Sequence, residues 1–285
     1  MGIEQLLILL ERNWKLIVAG VAAGVFLSAL YLLLATPVYR SQSVVTVLTP
    51  GNGMPTLSGQ FGSLATLAGV QIPAQSEREE AIALIESRHL AAMFIEENDL
   101  LPRLFSEDWN SENSSWITGE RVPTLGDGIR KLQEEIFSVS QDRKSGLLTL
   151  TMDWTSREEA AEWLDKFIDL ANEQMRARAM KSAELSMKYL DQELASAQVV
   201  EVREMLARLQ ESQLRTLTYA RSNPDYSFRV LDPPMVADAH RPLKPRKALT
   251  LVAGFIVGCV FAVLAVILAE GWRIARGSRG LRQAS

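Results

Sequence analysis

The sequence predicts an α+β membrane protein: two transmembrane helices flank an α/β base that carries a long helical hairpin outside the cytoplasm. Three observations predict it. Residues 16–35 and 248–269 are apolar throughout, with no charged side chain in either. About 20 residues at 1.5 Å rise make roughly 30 Å of helix, the thickness of a bilayer's hydrocarbon core, and buried helices of soluble proteins are rarely so long and so free of charge. Between these ends lie about 210 polar residues, enough for one compact or extended domain. Finally, no proline or glycine interrupts a helical pattern between Ser156 and Asn223. A single rod of that length would be about 100 Å long, so a chain that must return to the membrane has to bend within it.

The expected organisation is residues 1–13 as a cytoplasmic N-terminal segment, 14–35 as the first span, 36–247 as the external domain, 248–269 as the second span and 270–285 as a cytoplasmic tail. Residues 1–13 pair Ile3, Leu6, Leu7 and Leu10 with Glu4, Gln5 and Glu11, an amphipathic pattern suited to the membrane interface. A cleaved signal peptide has a shorter apolar core and a basic start, so an uncleaved anchor is expected. Trp14 and Tyr31 sit near the ends of the first span, where aromatic rings favour the headgroup region. Arg12 and Lys15 precede that span and Arg40 follows it, which places the N-terminus in the cytoplasm. An even number of spans returns Arg273, Arg276, Arg279 and Arg282 to the same side. Arg241, Lys244, Arg246 and Lys247 crowd the opposite flank of the second span, so that helix alone does not orient the chain.

After Pro37, residues 38–48 are rich in β-branched side chains and end at Pro50-Gly51, which predicts a strand. Residues 50–76 mix Gly, Ser, Thr and Pro with Phe61, Leu64, Leu67 and Val70, predicting a packed loop with one short helix. Residues 77–100 predict a single helix. Ser76 is its N-cap with Glu79 at capping-box spacing, and Ala81, Leu84, Ile85, Leu90, Phe94 and Ile95 form its buried stripe. Residues 101–128 are irregular, with a helical turn at 129–134. Alternation over 136–140 and 147–153, joined by a glycine-containing connection, predicts a β-hairpin. Ser156 caps the long helix, with Glu159 three residues on and Ala160, Leu164, Phe167 and Ala171 along its stripe. The bend is expected at 196–200, with the outgoing helix ending near Ala195 and the returning one near Arg221. Residues 228–231 predict a last strand beside the first. Pro233, Pro234, Pro242 and Pro245 then form a stiff, extended membrane-entry motif, because proline fixes φ and keeps its predecessor extended.

Charge and residue types exclude several function classes. The middle of the chain carries about −7 and the two ends together about +3, and nucleic-acid binding needs a basic stripe. Cys259, the one cysteine, lies inside the second span, which excludes an intrachain disulfide, a cysteine-ligated metal and an exposed thiol nucleophile. His89 falls on a predicted helix surface and His240 in the proline-rich arm; neither has a catalytic partner in sequence. There is no phosphate-binding loop and no metal-ligand spacing. The pairs Glu79-Glu80, Glu96-Glu97, Glu134-Glu135 and Glu158-Glu159 fall on helices or helix starts, where carboxylates are solvated or face the helix dipole. No catalytic residue, cofactor or metal is expected. The spans themselves carry the clearest motifs. Gly20 and Gly24 in the first, and Gly254 and Gly258 in the second, are G-x-x-x-G pairs that let helix backbones approach closely. The sequence leaves open whether they pair within one chain, between chains or with another membrane protein.

The order of these elements resembles the bacterial polysaccharide co-polymerases, meaning the Wzz-type chain-length determinants and the transmembrane part of their tyrosine-kinase relatives. Pro37-Val38-Tyr39-Arg40-Ser41 is similar to the start of that family's first strand, and Leu64-Ala65-Thr66-Leu67-Ala68-Gly69-Val70 to its Leu-Ala-Ser-Leu-Ala-Gly loop. Val139 to Leu150 with Lys144-Ser145-Gly146 resembles the hairpin. Trp154-Thr155-Ser156-Arg157-Glu158-Glu159-Ala160-Ala161, then Ala171-Asn172, resembles the start of the long helix. Leu231-Asp232-Pro233-Pro234 and Pro242-Leu243-Lys244-Pro245-Arg246-Lys247 resemble the approach to the last span, with Lys244-Pro245-Arg246-Lys247 where the family has Ser-Pro-Lys. The short tail without a phosphate loop or tyrosine cluster departs from the kinase branch. The resemblance implies a non-enzymatic regulator in the bacterial inner membrane, with its central domain in the periplasm and both termini cytoplasmic. It implies a homo-oligomer that meets a membrane-embedded polymerase and the nascent glycan, and sets the chain length of an O-antigen, capsule or exopolysaccharide. An export adaptor that activates a separate cytoplasmic kinase, and a membrane-anchored sensor, are the alternatives.

Overall fold

The computed structural model describes residues 13–48, 73–117 and 121–282. The interfacial segment expected at the N-terminus, and residues 50–72 of the loop expected over 50–76, with its Leu64 to Val70 motif, lie outside the described residues, while 73–76 are helical. In chain order the elements are α1 (Trp14–Leu34), β1 (Tyr39–Val47), α2 (Pro73–Ile85), α3 (Arg88–Glu97), α4 (Leu101–Leu104), β2 (Trp109–Asn110), β3 (Ser115–Trp116), α5 (Leu125–Lys131), a π-helical turn (Leu132–Ile136), β4 (Phe137–Gln141), β5 (Leu148–Trp154), α6 (Arg157–Ser196), α7 (Val200–Ser222), β6 (Phe228–Asp232) and α8 (Lys247–Arg282). They form two units, one of Met1–Val38 with Ala239–Ser285 and one of Tyr39–Asp238.

The Tyr39–Asp238 unit is built on a four-stranded antiparallel sheet of order β4-β5-β1-β6. β1 is central, running from Tyr39 opposite Trp154 to Val45 opposite Leu148. Arg40 and Asp153 face each other across that ladder in a bidentate pair with both bonds at 2.7 Å. The hydrogen bond to Asp153 holds the guanidinium still more firmly protonated than usual. β4 and β5 form the expected hairpin. Its turn is set by Asp142, whose carboxylate accepts from the Lys144 and Ser145 amides, and by Gly146 at φ +72°, a backbone region that other residues resist.

α6 lies on the sheet. Val45, Leu148, Leu150 and Met152 from the strands and Trp163, Leu164, Phe167 and Ile168 from the helix are all buried together. The Phe167 ring takes the Phe94 ring edge-on, with centroids 5.1 Å apart, and the Phe137 ring at 4.5 Å. That places α3, the hairpin and α6 in one core. Ser156 caps α6 as expected, accepting from the Glu159 amide. The Glu159 carboxylate does not complete a capping box; it accepts from the Trp154 indole and from Arg103, each at 2.7 Å.

The helix expected over 77–100 is two helices. The chain is already helical at Pro73, so Ser76 lies inside α2 and is not a cap. The break comes at Ser87, which is extended (ψ 144°) and caps α3 by accepting from the Leu90 amide. A serine hydroxyl offers the backbone an alternative to the helical ladder, and here that option cuts the stripe in two without moving it. Ala81, Leu84, Ile85, Leu90, Phe94 and Ile95 are all buried. Within the irregular stretch, α5 begins earlier than expected because Thr124 and Asp127 form a complete capping box.

The hairpin of α6 and α7 reverses where the sequence predicts. Ala197 and Val199 are extended (ψ 120° and 126°) and separate a 40-residue helix from a 23-residue one. Ala183, Leu190, Leu206, Leu217 and Ala220 are the buried positions along the pair. At its base sits Asn172, 4 % exposed on α6. Its amide oxygen accepts from the Ser227 and Phe228 amides at 3.0 and 2.8 Å, and its amide nitrogen donates to the Phe228 carbonyl at 2.9 Å. The side chain thus acts as a neighbouring strand at the start of β6.

In the other unit, α1 and α8 pack on each other. α8 continues past the expected span end at 269 to Arg282. Among the described residues, Lys247–Val266 is one helical segment long and apolar enough to cross a membrane, and the apolar part of α1, Val18–Leu34, is shorter.

The Asn172 clamp and the α5 cap each contribute measurably to stability. Asn172→Leu keeps the volume but leaves two amides and a carbonyl buried without their side-chain partner. At about 1–3 kcal/mol per stranded group, the variant should lose on the order of 3–5 kcal/mol in denaturant unfolding of the full chain in detergent. Asp127 has its carboxyl held below the ordinary range, first by the Thr124 hydroxyl, then by the Thr124 amide, with Arg121 and Arg130 adding to it. A carboxyl depressed in the folded state contributes stability that is complete above its unfolded value and is lost as pH falls through its folded one. Carboxyl NMR should therefore show Asp127 titrating below a free aspartate. α5 should fray only at that lower pH, and Asp127→Ala should remove the acid-dependent step.

Candidate functional site: a helix pair lined by small residues

Each of the two apolar helices carries a ladder of small residues at intervals of four. Gly20, Gly24 and Ser28 line α1; Gly254, Gly258 and Ala262 line α8. Four-residue spacing puts side chains on one face, and the two faces meet in antiparallel register. Gly20 lies against Ala262, Gly24 against Gly258 and Gly254, and Ser28 against Gly254. A Cβ on Gly24 would stand 2.5 Å from the Gly254 carbonyl oxygen and 2.8 Å from the Gly258 Cα, and one on Gly258 would stand 3.0 Å from the Gly20 carbonyl oxygen. At these positions the contact is backbone against backbone, so no side chain can yield. Glycine is therefore required for the close approach and not for any special φ.

The four glycines singled out in the sequence are brought together within one chain. Ser28 and Ala262, which sequence reading passed over, extend the same ladder by one step at each end and are 9 % and 3 % exposed. The signal was present as a third small residue at the same spacing in each helix. The Ser28 hydroxyl is satisfied inside its own helix, donating to the Gly24 and Val25 carbonyls, so it adds a small polar side chain to the interface without an unmet bond. The large apolar residues turn away: Phe26 is 68 % exposed, as is Phe261.

The prolines of the entry motif are divided between the two units. Pro233 and Pro234 follow β6 directly. Having no N–H, they cannot extend the ladder, and hydroxyls from β1 take over: Ser43 donates to the Asp232 carbonyl at 2.7 Å and Ser41 to the Met235 carbonyl at 3.0 Å. Pro242 and Pro245 flank a bridge in which Val38 donates to the Lys244 carbonyl and accepts from the Leu243 amide.

Chemically reactive groups are dispersed. His89 and His240 are exposed and on different units. Among the described residues no cluster of three His, Cys, Asp or Glu side chains could hold a metal ion. Burial, then Asp165 and Asp225, raises the Asp169 carboxyl above its ordinary range. A cleft bordered by Asp108, Arg121, Asp127, Arg130 and Lys131 has much of its charge engaged internally, Arg130 with Asp127 and Lys131 with the Leu104 carbonyl.

The sequence pattern of the family described as "Wzz: Chain length determinant protein" matches residues 2–98. No curated protein matches the chain. Solved structures similar to it include a full-length bacterial polysaccharide co-polymerase, at 15% identity and a TM-score of 0.46, with 95% of this chain and 98% of that one covered. A fragment of WzzB, a polysaccharide co-polymerase from Salmonella Typhimurium, aligns at 15% identity and a TM-score of 0.33, over 73% of this chain and 100% of that one. A point mutant of the Shigella flexneri lipopolysaccharide O-antigen chain-length regulator WzzBSF aligns at 12% identity and a TM-score of 0.25, over 72% of this chain and 99% of that one.

Because the glycine contacts are backbone on backbone, Gly24→Leu should force α1 and α8 apart at a cost of about 1–3 kcal/mol, the usual penalty for overpacking. Phe26→Leu, on the outward face, should be near neutral. Thermal unfolding of the full chain in detergent would separate the two; equal melting temperatures would show that the pair does not depend on close approach.

Proposed function

We propose, from the premise that residues 2–98 are a Wzz-type segment, that this chain regulates the chain length of a bacterial surface polysaccharide. It acts as a non-catalytic scaffold beside a membrane-embedded polymerase. The observation that carries the reading is the family match over the first apolar helix, β1, α2 and α3. The remaining elements support it, because the strand, hairpin, long helix, last strand and proline-rich approach follow in the order that the resemblance implies. A scaffold also suits a body in which charged groups such as Arg40 and Asp153 pair across neighbouring strands.

In this reading the chain crosses the inner membrane twice, at 14–35 and 248–269, with both termini cytoplasmic and residues 36–247 periplasmic. The small-residue ladder supports the first crossing, since close approach without a hydrophobic driving force is how helices associate in lipid. The glycine faces are turned toward each other, so the polymerase and the lipid meet the outer faces, among them Phe26, Leu27, Phe255 and Phe261. Copies of the chain assemble through the hairpin, where Leu185, Tyr189, Val202, Met205 and Leu209 stay exposed. Contiguous exposed apolar side chains mark association surfaces.

The test is genetic and is read on a gel of the surface polysaccharide. Deleting the gene should replace a modal length by a broad distribution while polymer is still made. Restoring the wild-type chain should bring the mode back. Gly254→Leu with Gly258→Leu should shift the mode at normal protein level. A deletion strain with an unaltered length distribution would overturn the reading.

A further inference from the structure

At the base of the hairpin, beside the Asn172 clamp, the Tyr39–Asp238 unit holds a partly enclosed cleft of about 380 Å³. Its polar lining comes from three elements and one loop: Glu80 on α2, Arg178 and Ser182 on α6, Gln213 and Thr216 on α7, and Tyr226 before β6. Met175 and Ala183 supply apolar wall between them.

This lining differs from the charged cleft near α5. There Arg121 and Arg130 pair with Asp127, and Lys131 donates to the Leu104 carbonyl. Here Glu80, Arg178, Ser182 and Gln213 have no side-chain bond to any described residue, and the Thr216 hydroxyl donates to the Ser212 carbonyl, which leaves its lone pairs to accept. A carboxylate, a guanidinium and an amide are planar groups that bind two neighbouring hydroxyls at once, and the serine and threonine hydroxyls adapt to either role. The volume falls in the range of small-ligand sites and has room for one or two pyranose rings. Single opposite charges favour neither an anionic nor a cationic ligand. A polyhydroxylated neutral ring has the donor and acceptor pattern that these groups answer.

We propose that this cleft is a glycan subsite, holding a sugar ring of the polymer whose length the chain regulates. The proposal rests on the reading given under the proposed function, and it adds the place on the body where the polymer is held. The cleft is framed by elements that the core fixes: the start of β6 is held by Asn172, and Ala183 is 1 % exposed on α6. The subsite is therefore preformed and would bind without rearrangement.

The test uses the full-length protein in detergent. The probe is a set of short oligosaccharides released by mild acid from the producing strain's own surface polysaccharide. Saturation-transfer NMR should show transfer to sugar-ring protons, and titration should show binding at least tenfold weaker in Arg178→Ala and in Gln213→Ala, both with wild-type melting temperatures. Lys144→Ala, in the β4–β5 turn, should bind as the wild type does. No transfer with the wild type, or equal affinity across all four proteins, would overturn the subsite. The deletion strain keeps the two claims separate. If deletion alters polymer length while the cleft variants bind normally, the subsite fails and the regulatory reading stands. If deletion leaves length unaltered, the regulatory reading fails whatever the binding shows.

Discussion

The body of the molecule depends on one buried amide. Asn172 is on the face of α6 that packs on the sheet, where a polar side chain costs free energy unless all its bonds are met. It meets three of them on two consecutive residues, taking the amides of Ser227 and Phe228 and giving to the Phe228 carbonyl. A leucine there would add apolar contact, but it could not specify which residues of the returning chain lie against it. The amide fixes the register. Phe228 is set opposite Val47, and the length from α6 out to the bend and back is thereby matched to the sheet. The two helices of the hairpin can vary along their exposed faces, but their feet cannot slip.

The helix pair α1–α8 is held by a different principle. The body gains from removing apolar surface from water. In the reading proposed above both helices lie in lipid, where they would gain nothing that way, since the acyl chains are as apolar as leucine, and would rely on close packing. Glycine, a poor helix former in water, is therefore the right residue at Gly20, Gly24, Gly254 and Gly258. The bulky side chains that would dominate a soluble core, Phe26, Phe255 and Phe261, face outward instead.

Much of this was legible in the sequence because the signals were periodic or local. The long helices, the β4–β5 hairpin, the reversal near Ala197 and the pairing of β6 with β1 all follow from apolar spacing and from the distribution of proline and glycine. The misreadings share a cause. The sequence offers Ser76 as the cap of one helix that runs on through Ser87, but the chain is already helical at Pro73 and Ser87 caps a second helix, α3. Glu159 stands at capping-box spacing, yet Trp154 and Arg103 draw its carboxylate away from the cap, and they are close only in the folded chain. Thr124 and Asp127 form a true capping box in a stretch whose prolines and glycines hid it. For the glycine pairs, spacing named the residues but not their partner. The antiparallel match of three small positions on each helix emerges only when both are aligned, and the same reading then recovers Ser28 and Ala262.

Each unit solves the same topological problem by its own means, which bears on how such a chain can serve as a scaffold. In the body, the first and last strands are neighbours, so the chain enters and leaves at adjoining points. Where Pro233 and Pro234 end the ladder, Ser41 and Ser43 carry the contact on by their hydroxyls. In the other unit, antiparallel helices locked by small residues also bring their chain ends side by side, and Val38 hydrogen-bonds to Leu243 and Lys244 just beyond them. Both closures use backbone groups satisfied by short side chains or by direct contact, which leaves few degrees of freedom at the two ends. Along the far part of the hairpin the buried positions thin out to Leu190 and Leu206, and large apolar residues stay exposed. A base held by such contacts, with apolar side chains left exposed along the hairpin, suits the proposed assembly of copies through that hairpin.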